Sequence, residues 1–536
     1  RPLVGVGIGN MSRVYNTYRP IEAGSAAYMV QGLHSTPMQI LGEMGVIGFA
    51  ATTIFIGFSV RLWSRLYCNL SQPSARYFLY AIGGSLLAYG GSVLTEYQLE
   101  NIGISGTLVV ILVLLLALAD EAEPKPVSPL SIASRRGLSL VSLGFLGLAC
   151  LVSFPSSIAM GIHQQGESFL NQNEARKAFS RINNAAEIVP WTPVYPVHLG
   201  KRFLNLRDTA GSDKEFRELS NVAINYLEQG VKANPTDLWF YHELGLAFAP
   251  IEPEKATDAF TQVVKILPRG NFYDYYLLAL TYLDRNQPQE KVITTLALQG
   301  LVKPQFLTFP VWEKNEQLSS LKGAVLEKTL NYLDTLQERL TPDTEVFNQV
   351  YENQVLLKWW HEQSLEEIAM SRLRPSIQAW LTAQTSHEEA LRITQSALEK
   401  TPENPSLLLL RAWLAPEQHL DSYLSESELF GEQDAPIIKK YLKRYDNPAR
   451  WLRSLDPEPI SARIRAALMY AYRNYDVIWI GSISAPPELS AYPVARNIQF
   501  FAPYPQEVIP LEHLVQEVQE DLSLPETASK KFFSER

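Results

Sequence analysis

The sequence predicts an all-α protein in two parts, polytopic membrane helices followed by an α-solenoid with a small irregular C-terminal cap. Three observations carry this. Four apolar stretches fall between residues 45 and 160. Beyond residue 175, small residues and prolines recur at roughly the ~34-residue interval of a helix–turn–helix repeat. Charge also divides the chain. Residues 1–161 hold nine Lys/Arg and seven Asp/Glu, leaving 38 and 49 of the chain's 47 and 56 for residues 162–536. The mean hydropathy of −0.07 averages over an apolar, slightly basic first part and an acidic, soluble-like second part.

Residues 1–44 are expected to form an extracytoplasmic loop. The opening RPLVGVGIGN bends at Gly5, Gly7 and Gly9. A dinucleotide fingerprint would need a following helix and a distant acid, so a glycine-bent loop is the simpler assignment. Residues 11–33, with Arg13, Tyr15, Tyr18 and Arg19, are too polar to span. Tyrosines suit the headgroup boundary. GLHSTPMQILGEMGVIGFA then sets His34, Ser35, Gln39 and Glu43 directly ahead of an apolar run. Ionisable groups at a membrane edge are costly and often functional. Two roles stay open for His34: a base near neutral pKa, or a structural group at a helix end. Ser35 suits either a helix cap with Pro37 in the first turn or a substrate contact. Glu43, nine residues after His34, would face the opposite side of one helix, which favours a structural role.

Four spans follow at about 45–62, 77–95, 102–119 and 137–160, each near the ~20 apolar positions that a ~30 Å hydrocarbon core requires. Gly83, Gly84, Ala88, Gly90 and Gly91 in the second suit close helix contact. The connection 61–76 carries Arg61, Arg65 and Arg76, and the connection 120–136 carries Lys125, Arg135 and Arg136. The connection 96–101 has only Glu96 and Glu100, and no basic residue follows the fourth span before Arg176. Positive loops stay in the cytoplasm. His34, the Glu96–Glu100 connection and residues after about 161 are therefore expected outside. DEAEPKPVSPLSIASRR, 120–136, has linker composition.

Residues 162–430 form the expected repeat domain. Ala178, Ile182, Ala185 and Pro190 set a pattern of small, large and small residues closed by proline. Ala223, Leu227, Gly230 and Pro235 repeat it, as do Ala256, Phe260, Val263 and Pro268. Val292, Leu296, Gln299 and Pro304 match loosely, and Ala390, Thr394, Ala397 and Pro402 match again. Tyr241, Leu244, Gly245 and Phe248 supply the first-helix half ahead of the third copy. This resembles the tetratricopeptide repeat, in which stacked helix pairs bury a continuous core and offer a groove to a partner. Residues 431–536 are expected to be a mixed cap, with DVIWIGSI and ARNIQFFAPYP as candidate strands.

The pattern His34-Ser35, Glu43 and Gly45-x-x-Gly48, with Pro2, Gly5 and Gly7 ahead of it, resembles the O-antigen ligase and O-antigen polymerase family, covering about residues 1–120. The resemblance implies a bacterial inner-membrane glycosyltransferase of cell-envelope polysaccharide and lipopolysaccharide synthesis. It would move a polyisoprenyl-diphosphate-linked glycan onto an acceptor, with His34 catalytic and the solenoid periplasmic. Arginines hold the diphosphate in that family. Arg13 and Arg19 lie on the expected side without matching family positions. Ser35 is a candidate substrate contact, and Gly5, Gly7, Glu43, Gly45 and Gly48 are motif residues. The chain begins without Met or a signal peptide, so it is expected to be the C-terminal half of a longer enzyme and inactive alone. A polymerase and a protein O-oligosaccharyltransferase share this layout. A membrane scaffold or transporter that works through its repeats is the alternative of another class.

Expected partners are thus the lipid-linked glycan, its acceptor, membrane lipid and a protein held by the repeats. The acidic second part argues against nucleic acid. Cys68 and Cys150 both lie in or beside apolar runs, which leaves no disulfide framework. No HExxH, GxSxG or P-loop occurs, and the eight histidines show no ligand spacing, so no metal or cofactor is expected.

Overall fold

The structure, a computed structural model, describes residues 2–7, 10, 11, 14, 15, 19, 33–96, 102–122, 132–172, 174–270, 273–309, 311–366, 368–426, 447, 450, 501–505 and 507–524. Among the described residues the regular structure is all helix. Two compact units emerge. One holds residues 1–19, 29–206 and 225–237, and the other holds residues 20–28, 207–224 and 238–536.

The first unit begins with helices α1 (Thr36–Asn69), α2 (Pro73–Thr95) and α3 (Ile102–Ala122). All three contain stretches long and apolar enough to cross a membrane. They pack through Leu66, Leu79, Ile82 and Leu115, with Trp63 alongside. Trp63 Nε1 donates to Leu79 O at 3.0 Å. The indole covers Gly83, where a Cβ would stand 2.7 Å from Nε1. Gly84, Gly90 and Gly91 meet nothing within 4 Å, so of these four glycines only Gly83 makes a helix contact. Ile54, Phe58, Leu87 and Val109 point away from the packed seam and are exposed. In water that apolar surface would be unfavourable, and in hydrocarbon it costs nothing.

Helix α4 (Ile132–Asn171) contains the fourth apolar stretch and runs without interruption through residue 161, where a domain boundary was expected. It pairs with α5 (Ala175–Ile188), and α6 (Val194–Arg207) and α7 (Asp213–Ala233) follow. In the second unit α8 (Leu238–Phe248) pairs with α9 (Pro253–Ile266), and α10 (Asp274–Asp284) with α11 (Gln289–Val302). Next come α12 (Glu316–Arg339), α13 (Glu345–Trp360), α14 (Pro375–Thr382), α15 (His387–Lys400), α16 (Pro405–Leu414) and α17 (Pro416–Glu426), each packed on a sequence neighbour.

Every helix position of the five repeat matches is buried, Ala178 and Ala256 completely. The small residues are small for a reason. A Cβ on Gly245 would lie 2.7 Å from the Phe260 ring, and one on Gly230 would lie 2.0 Å from Val197 Cγ2. Paired helices approach closely only where one side gives up its side chain.

The expected strand DVIWIGSI and residues 495–500 of ARNIQFFAPYP lie outside the described residues, and residues 501–505 of the latter form no strand. The described part of the C-terminal cap is a helix, α18 (Ile509–Asp521), packed on α11 and α12. A buried ion pair, Arg269 Nη1–Glu512 Oε1 at 3.1 Å, fastens it. Gln519 Nε2 donates to Tyr275 Oη and Val264 O, and Asn353 exchanges two hydrogen bonds with the Ala502 backbone.

Candidate functional site

The His34 motif surrounds a break in α1. Gly45 has φ 66° and ψ −167°, which interrupts the helix at the residue where the first span was expected to start. A break frees the carbonyls before it and the N–H groups after it. Residues 2–7 fill that gap. Val6 N donates to Gly42 O at 3.0 Å, and Gly7 N to Glu43 O at 2.8 Å. On the other side, Val46 N donates to Pro2 O at 2.9 Å and Ile47 N to Leu3 O at 3.1 Å. The N-terminal segment is thus spliced into the helix as a substitute for its missing turn. Broken helices at membrane depth are tolerated where their backbone groups are re-paired in this way.

Two of the motif glycines, Gly5 and Gly45, follow from the splice, while Gly48 makes room for Met44 of its own helix. A Cβ on Gly5, which has φ +69°, would lie 2.3 Å from the Glu43 carbonyl. A Cβ on Gly45 would lie 2.4 Å from the Leu3 carbonyl, and one on Gly48 would lie 2.2 Å from Met44 Cβ. Gly7 also has positive φ. Glu43 is buried beside them. Its Oε1 accepts from Gln39 Nε2 at 3.3 Å and from Met11 N at 3.3 Å. Glu43 therefore anchors the segment that enters the break.

His34 stands at the other end of the short pre-break helix, with an exposed side chain. Its Nδ1 is 3.1 Å from Glu96 Oε2. Thr36 Oγ1 donates to the Glu96 carbonyl at 2.7 Å, tying the start of α1 to the end of α2. Sequence reasoning placed Glu96 on the same side of the membrane as His34 but not against it. The signal available was an acid at the end of the antiparallel second span. A carboxylate that accepts the Nδ1 proton fixes the tautomer and makes Nε2 the basic nitrogen. Both side chains are more than half exposed, 72% for His34 and 51% for Glu96, so the pair opens to whatever adjoins the membrane surface.

Ser35 is the N-cap residue of α1 in extended conformation, with Pro37 in the first turn. Its carbonyl accepts from Gln39 N at 3.0 Å, while its side chain makes no cap hydrogen bond. Arg19 is buried. Arg13 lies outside the described residues.

A second cluster was not anticipated. The structure brings together His163 and Glu167 of α4 with His198 of α6, their ligating atoms within 4.8 Å of one another. His163 and Glu167 are one helical turn apart, but the spacing from His163 to His198 has no motif value, so only the fold reveals the group.

No family model matches this chain, and no curated protein matches it. Among solved structures, the TPR domain of P58(IPK) is similar over 59% of this chain and 94% of that one, at 15% identity and a TM-score of 0.16. The repeat architecture rests on the helix pairs themselves.

Proposed function

We propose that this protein is a membrane glycan transferase of O-antigen ligase type. It would move a polyisoprenyl-diphosphate-linked oligo- or polysaccharide onto an acceptor hydroxyl, with the helical repeats holding a protein partner or the acceptor. The observation that carries the reading is the His34–Glu96 pair, set at the mouth of a helix broken and repaired by its own N-terminal segment. In the reaction, the acceptor oxygen bonds to the anomeric carbon and gives its proton to His34 Nε2. The bond from that carbon to the diphosphate oxygen breaks, and the diphosphate leaves with the electron pair. Glu96 stabilises the imidazolium as it forms. Its carboxylate does for His34 what a buried acid does for a catalytic histidine elsewhere. In this reading the pair and the solenoid face the periplasm of a bacterial inner membrane, an orientation supported by the Lys and Arg residues of the connections 61–76 and 120–136.

The test is glycan transfer in cells carrying His34→Ala, His34→Gln and Glu96→Gln in the intact protein. Loss of a general base lowers rate by about 10²–10⁴-fold. Both His34 variants should lose product at near-normal protein level, and Glu96→Gln should fall between them and wild type. Normal product from both His34 variants would remove the catalytic reading. The paired helices would then favour the alternative, a membrane scaffold that works through protein contacts. If only His34→Gln retains function, the side chain orients the acceptor and does not take its proton.

A further inference from the structure

The cluster at the end of α4 gathers one ligating atom each from His163, Glu167 and His198 within 4.8 Å of one another. His163 is completely buried. Its Nε2 is 2.9 Å from His198 Nδ1. Glu167 Oε1 is 3.3 Å from His198 Nε2 and 3.9 Å from His163 Nε2. That oxygen is itself buried and makes no hydrogen bond, and neither does His163 Nδ1. Arg202 Nε donates to His198 Nε2 at 3.1 Å, so that nitrogen carries no proton. Arg202 thus supplies the positive charge shared by this imidazole and the carboxylate, while Glu167 Oε1 and His163 Nδ1 stay buried without a hydrogen-bond partner.

We propose that His163, Glu167 and His198 form a Zn2+ site that fastens the end of α4 to α6. Two imidazoles and one carboxylate are a donor set suited to this ion. Tetrahedral ligands about 2.0–2.1 Å from zinc stand about 3.4 Å from one another. The separations of 3.3 and 3.9 Å from Glu167 Oε1 lie near that spacing, and to bind the ion His163 Nε2 must exchange its hydrogen bond with His198 Nδ1 for it. Burial lowers His163 to about 4, with Arg202 adding to the effect. Burial also lowers His198 to about 3, helped by His163, Arg202 and Lys201.

Arg202 is the competitor. Its guanidinium also lies 3.5 Å from Glu167 Oε2, so it supplies positive charge to the cluster. Its side chain is 42% exposed and can turn into water when a divalent ion enters. Three protein ligands leave a fourth coordination position for water.

Titration of the detergent-purified, chelator-treated full chain with Zn2+ by calorimetry, with metal analysis after gel filtration, tests the proposal. Wild type should bind one equivalent. Glu167→Gln, which keeps the side chain's shape, should bind at least ~10²-fold more weakly, since even second-shell changes cost about 10–100-fold. Arg202→Ala should bind more tightly than wild type, because a competing cation is gone. The wild-type measurement depends on no variant folding. Absence of saturable Zn2+ binding to wild type would overturn the proposal and leave Arg202 as the cluster's own cation. Equal affinity in wild type and Glu167→Gln, or binding to Arg202→Ala no tighter than to wild type, would overturn it as well.

Discussion

Replacing Gly45 with alanine tests the splice that builds the His34 region. Two costs can be worked from the geometry. Gly45 sits at φ 66° and ψ −167°, a region that residues with a side chain avoid. Strain there is about 1–3 kcal/mol. The new methyl would also lie 2.4 Å from the Leu3 carbonyl, a backbone atom that cannot rotate away. Residues 2–7 would have to withdraw, and the four backbone hydrogen bonds to Gly42, Glu43, Val46 and Ile47 would go with them. At about 1 kcal/mol each, that adds about 4 kcal/mol, more if the freed groups meet lipid. Gly45→Ala should therefore destabilise the first unit by about 5–7 kcal/mol. Gly57 in the same helix is the control. A methyl there meets nothing within 4 Å, so Gly57→Ala should be neutral or gain a few tenths to ~1 kcal/mol in helix propensity. The assay is thermal unfolding of the detergent-solubilised protein, followed by tryptophan fluorescence. If the two variants unfold together with wild type, the splice does not hold the helix ends and the argument fails.

Three further outcomes follow from other parts of the chain. In a cysteine-free background, Ser128→Cys should resist an impermeant thiol reagent in intact cells while Ala210→Cys is labelled, and the reverse pattern would place His34 in the cytoplasm. Glu512→Gln should leave Arg269 buried without its carboxylate, a loss of about 3–5 kcal/mol, seen as faster hydrogen exchange across Ile509–Asp521. Burial pushes the Lys303 ammonium down to about 8, opposed by Asp274 and aided by Arg269. Folding therefore favours the neutral amine. Stability from this group is lost as pH falls from the unfolded value toward 8, so wild type should gain stability between pH 8 and 10 relative to Lys303→Met, and parallel profiles would contradict this.

The repeat domain was legible because its signal is local. A helix pair of this type must put a small residue opposite a large one and stop at proline, and each requirement falls within about twenty residues of sequence. Ala178, Ala256 and Ala390 were found that way and all three are buried. The three apolar spans were legible for the same reason, since length and composition suffice. The second span's glycines were less so. Composition marks them as small but does not say which of them has a neighbour, and only Gly83, beneath Trp63, was found to have one.

What the sequence by itself determined is the division into apolar and acidic parts, the helical class and the repeat periodicity. It also marked Gly5 and Gly45 as motif positions, without supplying their purpose. Tertiary structure decided that purpose, because a chain segment some forty residues upstream enters the break, and backbone pairing leaves no trace in side-chain pattern. It likewise decided that Glu96 meets His34 across 62 positions and that His198 meets His163 across 35. Side-chain chemistry can be read along the chain, but which groups converge depends on helix packing, and packing depends on the shape of every neighbouring residue at once.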